Sequence, residues 1–375
     1  EGIVSAQIAV RAATIAFLGI LVGGAAVVAL LKFLNKPAAD AAVSTSFPTW
    51  QIVVGALGAG LSLLLGHLIR NNETVNWLAL PILTLPAVLL PIWIITTLGV
   101  RDLPLGSRWR TWSVFGVSLT ATPLLLVVIE IVMIIVILVF VVIYVVANPQ
   151  VAAVFERLSS QFMFLDLETE AGAEELLRRV APYLLQPGIF IPVVIVFSVL
   201  IPLVEELIKP LAVWLLAGRL DSAAQGFTLG ALSGAGFALW ETFSASAQTD
   251  GWGVLLFTRI GTGLLHVVAS ALVGMGIYLA VRERRYLRLL GNYLLAVLLH
   301  GLWNADALTV SFSALGVTYT QSGGYESLQW VSTSGLIALT CVLLAILLAS
   351  NRKLQGKMPV IPAEGTPPAQ NGTSL

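Results

Sequence analysis

The sequence predicts an all-α protein, a polytopic bundle of about nine membrane-spanning helices. Three observations carry this. Of the 375 residues (39.9 kDa), 58% are hydrophobic and 11% charged, with a mean hydropathy of +0.93; soluble domains carry about 25% charged residues. The apolar residues fall in runs long enough to cross a hydrocarbon core of about 30 Å at about 1.5 Å per residue. The ionisable residues inside those runs are few, and they concentrate in four consecutive spans.

The runs cover residues 10–31, 50–69, 76–99, 112–147, 189–217, 223–244, 253–281, 288–310 and 329–350. The first is too long for the apolar part of a signal peptide and reads as a retained span. Glu1 is not Met, so the upstream end reads as trimmed or cleaved. The fourth run exceeds the bilayer and is expected to project or tilt strongly. Nine crossings put the termini on opposite sides. One side then collects 13 Lys and Arg, the other five. The basic side should be cytoplasmic. The expectation is a multi-pass cell-membrane protein with a cytoplasmic C-terminus, and with the N-terminus and the 148–188 loop outside.

The chain divides into a four-span region 1–147, an outer loop 148–188, a four-span core 189–310, an outer loop with the last span 311–350, and a tail 351–375. Within the long loop, Leu176, Leu177, Val180 and Leu184 alternate at helical spacing with Glu174, Glu175, Arg178 and Arg179. That pattern predicts an amphipathic helix at the membrane surface, with a solvated connector as the alternative. The tail from Pro359 is rich in Pro, Gly, Thr and Asn and is expected to be disordered. Net charge is zero, which gives no sign of a nucleic-acid partner. The single cysteine, Cys341, excludes an intrachain disulfide and a multi-thiolate zinc site.

An ionisable side chain at mid-membrane costs about 2.5–3.5 kcal/mol on insertion scales, so each needs a reason. In the fifth span Glu205 and Glu206 precede Lys209 by four and three residues, within reach on a helix. One negative charge is left over, to be met by a proton, a metal or another helix. Pro202 and Pro210 deprive the Ser198 and Glu206 carbonyls of their helical partners. The sixth span repeats Gly226, Gly230 and Gly234, a small-xxx-small pattern for close packing, and Glu241 extends the same face. The seventh carries His266, flanked by Gly263, Ser270 and Gly274; the eighth carries His300 and Asn304, one turn apart. At about 1.5 Å per residue, Glu205, His266 and His300 overlap near mid-bilayer. His67 reads as interfacial. Glu130, alone in the fourth span, reads as structural, paired with Arg259 or Lys209 or held protonated. For Glu-Glu-x-x-Lys a packing ion pair is an equal reading, and for Glu241 an interfacial position is the competing one.

Two histidines and a carboxylate can hold one divalent metal with a position open for water, and a further glutamate can act as general base. The same set works without metal if a glutamate activates water and the histidines or Asn304 stabilise the oxyanion. No catalytic Ser-His-Asp order, cysteine nucleophile or phosphate loop is present.

These residues resemble the PrsW family of intramembrane proteases, in the superfamily of the type II CAAX prenyl endopeptidases and Abi-type proteins. The likeness rests on four ordered motifs over about residues 190–310: Glu205-Glu206-x-x-Lys209, Phe237-x-x-x-Glu241, His266 with Gly274, and His300-x-x-x-Asn304. The CAAX branch typically has histidine where Glu241 stands. The resemblance implies proteolysis of a membrane-anchored protein of the anti-sigma-factor kind. It implies Glu205 or Glu206 as activator of water, together with Lys209. It implies Glu241, His266 and His300 as ligands of a metal, Zn2+, or as transition-state stabilisers, and Asn304 at the oxyanion; a glutamate-type reaction would need no metal. Two other readings stay open from the residues alone: a proton-coupled transporter, for which two related halves are missing, and a catalytically silent scaffold or immunity-type protein. Oligomeric state is not legible.

Overall fold

The computed structural model describes residues 5–162, 169–246, 251–320 and 323–356. Its regular elements are helices, apart from an isolated bridge between Ala42 and Ser107. In chain order they are α1 (Ala6–Phe33), α2 (Thr49–Ile69), α3 (Glu73–Val100), α4 (Arg108–Leu119), α5 (Ala121–Ala147), α6 (Pro149–Phe162), α7 (Glu170–Leu184), α8 (Pro187–Ile195), α9 (Ile201–Ile208), α10 (Leu211–Leu215), α11 (Ala223–Ala245), α12 (Trp252–Glu283), α13 (Tyr286–Thr320) and α14 (Gly323–Gln355). The tail from Pro359, expected to be disordered, lies outside the described residues.

Among the described residues, eight helical stretches are long and apolar enough to cross a bilayer. They match eight of the nine expected runs, with α4–α5 and α8–α9 each counted as one stretch. The remaining run forms α11, whose Gly, Ser, Ala and Thr content dilutes its hydropathy. Yet α11 is deeply buried, because it packs inside protein rather than against lipid. Its glycines face α12 backbone in antiparallel order: Gly226 meets the Gly274 carbonyl, Gly230 that of Ser270, and Gly234 that of His266. A Cβ at any of the three would collide with those oxygens. Small residues let the two backbones touch, the device by which membrane helices replace absent hydrophobic drive with close contact.

The long fourth run is bent rather than continuous. Pro123 has no N–H for the Leu119 carbonyl, and Thr120 leaves helical geometry at φ −125°, ψ −78°. Beyond the bend α5 fully buries only Thr122, Pro123 and Leu126, while most of its remaining apolar side chains are exposed. In the loop 148–188 the amphipathic helix is present as α7, with Arg178–Glu174 and Arg179–Glu175 pairs at 3.3 and 2.8 Å. A second helix, α6, was not expected. The outer loop expected over 311–328 is largely helix, because α13 runs on to Thr320 and α14 begins at Gly323. Thr309, Ser311 and Thr320 each donate a hydroxyl to the carbonyl four residues back, which lets polar residues sit in a helix.

The core is anchored where Trp252, fully buried at the start of α12, presses on Gly66 of α2 and donates its indole N–H to Thr84 of α3 at 3.1 Å. The glycine contact is testable. Gly234→Ala should lower the melting temperature of the detergent-purified protein by the equivalent of about 1–3 kcal/mol, the usual range for overpacking. Gly291→Ala, with nothing within 4 Å of the new methyl, should leave it unchanged or raise it. Equal shifts would show that α11 and α12 do not touch at Gly234.

Candidate active site

The fifth span is not one helix. Between α8 and α9 the chain makes a π-turn over Val196–Leu200, and the Ile201 N–H reaches the Val196 carbonyl. The i→i+5 pattern would next bond Phe197 to residue 202, but that is Pro202 and has no N–H. Asn304 of α13 supplies the missing donor, Nδ2 to the Phe197 carbonyl at 2.8 Å. Gly301 of α13 lies so close to the Ser198 carbonyl that a Cβ would strike it. Tyr293 donates to the Leu203 carbonyl at 2.7 Å. At the other break α9 ends at Ile208, ahead of Pro210, and Ser233 of α11 donates to the Lys209 carbonyl at 2.7 Å. The broken helix is thus stitched to α13 on one side and α11 on the other.

Lys209 is fully buried, and its ammonium lies 2.7 Å from Glu205 Oε2, 2.7 Å from Glu206 Oε1 and 2.9 Å from His266 Nδ1. An ammonium has three protons, and these three acceptors use all of them. His266 must therefore accept at Nδ1 and carry its proton on Nε2, which meets Glu241 Oε2 at 2.7 Å. The other Glu241 oxygen pairs with Arg259 at 2.8 Å. His300 Nδ1 lies 2.8 Å from Glu206 Oε1, so it donates there and leaves its Nε2 lone pair free, 3.9 Å from Glu205 Oε2. Phe237, the aromatic of the Phe-x-x-x-Glu motif, packs edge-on to His266 at 5.1 Å and lies 4.9 Å from the ammonium, a cation–π contact.

The four expected motifs therefore converge. The two histidine rings lie 5.7 Å apart. A cavity of about 340 Å³ is bordered by Glu205, Glu241, His266, His300 and Asn304, and also by Glu130 of α5. Glu206 and Lys209 sit behind that wall. Glu241 is about one third exposed and borders this cavity. Glu130 forms no ion pair with Arg259, which pairs with Glu241; it borders the cavity together with Glu205. Sequence reasoning set Arg259 aside, although it precedes His266 by seven residues, two helical turns on one face.

The donor groups also sort themselves. Among the described residues, Glu205, Glu206 and His300 each place one ligand-type atom within 4.8 Å of the others. Glu206 Oε2 is buried with no hydrogen-bond partner. Two carboxylates and an imidazole with a free lone pair suit a divalent ion of borderline softness, so this group could hold a metal. Glu241 and His266, by contrast, are closed on each other, on Arg259 and on Lys209.

Lys209→Met should destabilise the protein by about 3–5 kcal/mol, since it strands buried carboxylates. Arg178→Met, on exposed α7, should cost at most about 0.5 kcal/mol. Denaturant unfolding in detergent measures both, and a small loss for Lys209→Met would contradict the buried network.

No match to a curated protein or to a solved structure was found. A family model described as PrsW family intramembrane metalloprotease matches residues 121–345. The match takes in the four motif-bearing helices and reaches well beyond them, from α5 with Glu130 to α14. It covers more than half of the chain, and it decides between a protease and the transporter or silent-scaffold readings: this chain belongs to the PrsW family of intramembrane metalloproteases.

Proposed function

We propose that the chain cuts a peptide bond of a membrane-anchored protein inside the cavity between α5, α9, α11, α12 and α13, with anti-sigma-factor-like proteins as the substrate class. One observation carries this reading: the glutamate pair is asymmetric. Glu205 borders the cavity, while Glu206 is fully buried behind it, bound to Lys209 and His300. Glu205 is the member that can meet water and substrate. In the proposed reaction a water oxygen bonds to the scissile carbonyl carbon and Glu205 accepts the water's proton. The proton passes to the amine nitrogen as the C–N bond breaks. Glu206 fixes the tautomer of His300, so that Nε2 stays free for the cavity. Glu241 and His266 hold the third proton of Lys209 in place. Asn304 keeps the π-turn open and stands on the cavity wall, where its amide is near the reacting groups.

A zinc ion held by Glu205, Glu206 and His300 would supply Lewis-acid polarisation of the carbonyl and a more acidic water. The Lys209 ammonium favours a second version of the same hydrolysis, since it already places one cation between the carboxylates; there Glu205 acts on water without metal. The chain is further proposed to cross a cell membrane nine times, with α11 counted beside α12, so that the basic C-terminal side is cytoplasmic. The 189–310 segment is the proposed catalytic unit, and 1–147 shapes access to it.

The test is to map new protein termini in membranes of cells expressing the wild type or Glu205→Gln. Termini inside or beside transmembrane segments should appear with the wild type and fall by about 10²–10⁴-fold in the variant. Identical termini in both would sink the assignment. Metal content separates the donor sets. His300→Ala should lose bound metal and Glu241→Gln should keep it. Loss in Glu241→Gln and His266→Ala would instead support the ligand set Glu241, His266 and His300. Wild-type cleavage that persists after chelation would support the metal-free version.

A further inference from the structure

Away from the cavity just described, three cations from three chain segments converge on a recess of about 230 Å³. Arg285 lies in the turn between α12 and α13, Arg288 in the first turn of α13, and Lys353 in the last turn of α14. One carboxylate answers them among the described residues: Glu283, 3.1 Å from Arg285 and at the surface. The side chains of Arg288 and Lys353 have no hydrogen-bond or ion-pair partner among the described residues. Like charges gathered in a partly enclosed recess repel one another and are screened less than in open water, so the arrangement calls for an anion. Asn292, whose Nδ2 is tied to the Leu272 carbonyl at 3.0 Å, also lines the recess, and Met275 and Leu354 give it an apolar floor. Leu287 and Leu290, on either side of Arg288, are 84% and 51% exposed. Apolar surface beside a cation cluster at the end of spanning helices is the setting of a lipid whose chains run along the protein and whose headgroup turns in.

We propose that this recess binds the phosphate of an anionic phospholipid headgroup. Arg288 and Arg285 offer the planar donor fork that matches phosphate oxygens, and Lys353 adds a point charge from the opposite helix. The bound phosphate would tie the ends of α12, α13 and α14 together. This site is independent of the proteolytic reading, because none of its residues borders the catalytic cavity.

The test uses the full chain purified in detergent, with lipids counted by native mass spectrometry. Phosphatidylglycerol should be retained and should raise the melting temperature, while phosphatidylcholine should do neither. Arg288→Gln with Lys353→Gln should lower phosphatidylglycerol retention at least tenfold. Arg284→Gln, next to the recess but not lining it, should leave retention unchanged. Should the double variant fail to fold, Lys353→Gln alone should show a partial loss. Millimolar inorganic phosphate that stabilises the wild type as strongly as phosphatidylglycerol, and displaces it, would make the site one for free phosphate and overturn the lipid assignment. Equal retention by wild type and variants, or equal retention of the two lipids, would overturn the site altogether.

Discussion

A lysine ammonium with no access to solvent has to find its counter-charges inside the protein, and in this chain nearly every polar residue of the core follows from where they are. Lys209 has three protons and three acceptors, one from each of Glu205, Glu206 and His266. Each acceptor then constrains the next group. His266 is forced to donate to Glu241, which keeps its other oxygen for Arg259; Glu206 accepts the His300 Nδ1–H hydrogen bond on the oxygen it already shares with Lys209. Removing any member leaves a buried charge or lone pair without a partner, a state costing more than the pair itself contributes. A network of this kind is costly as a source of stability but fixes one arrangement of four helices.

Backbone contact makes that arrangement reachable. The glycines of α11 bring its axis against α12 at the height of His266, close enough for Phe237 and Glu241 to meet the imidazole from one side. On the far side Gly301 does the same for the broken helix, so that α13 and α9 meet near the carbonyls freed by Pro202. Irregular backbone at membrane depth is tolerated only where protein or a water-filled cavity satisfies it. Here Asn304, Tyr293 and Ser233 provide the protein side of that condition.

Run length and apolarity made the outer helices legible, and spacing alone made the Glu205-Glu206-Lys209 contact legible, since i+3 and i+4 are neighbours on any helix. Hydropathy could not show that α11 accompanies α12, because the small residues that permit the contact are the ones that dilute the apolar signal. The helical continuation of α13 was hidden for a related reason: Thr and Ser read as loop formers until their hydroxyls find the preceding turn. The donor set was legible as residue types but not as a coordination group. Whether His266 or His300 keeps a free nitrogen depends on which carboxylate claims the other one, and that is decided by tertiary packing. Glu130 was visible as a lone ionisable residue in an apolar run, yet only the bend at Thr120 and Pro123, with the packing of α5 on α9, brings it to the same cavity.

The π-turn over Val196–Leu200 has a consequence for how this chain tolerates change in length. A π-turn is one extra residue carried inside an α-helix, and each residue turns the helix by about 100°. Excising a single position there would remove the π-turn, but Pro202 would still leave an upstream carbonyl without a backbone donor. The excision would also rotate everything downstream, carrying Glu205 and Glu206 away from His300 and Lys209 away from His266. Val199 and Leu200 of the segment are exposed and can therefore exchange with other apolar residues, while the count of residues is fixed by chemistry that takes place two turns away.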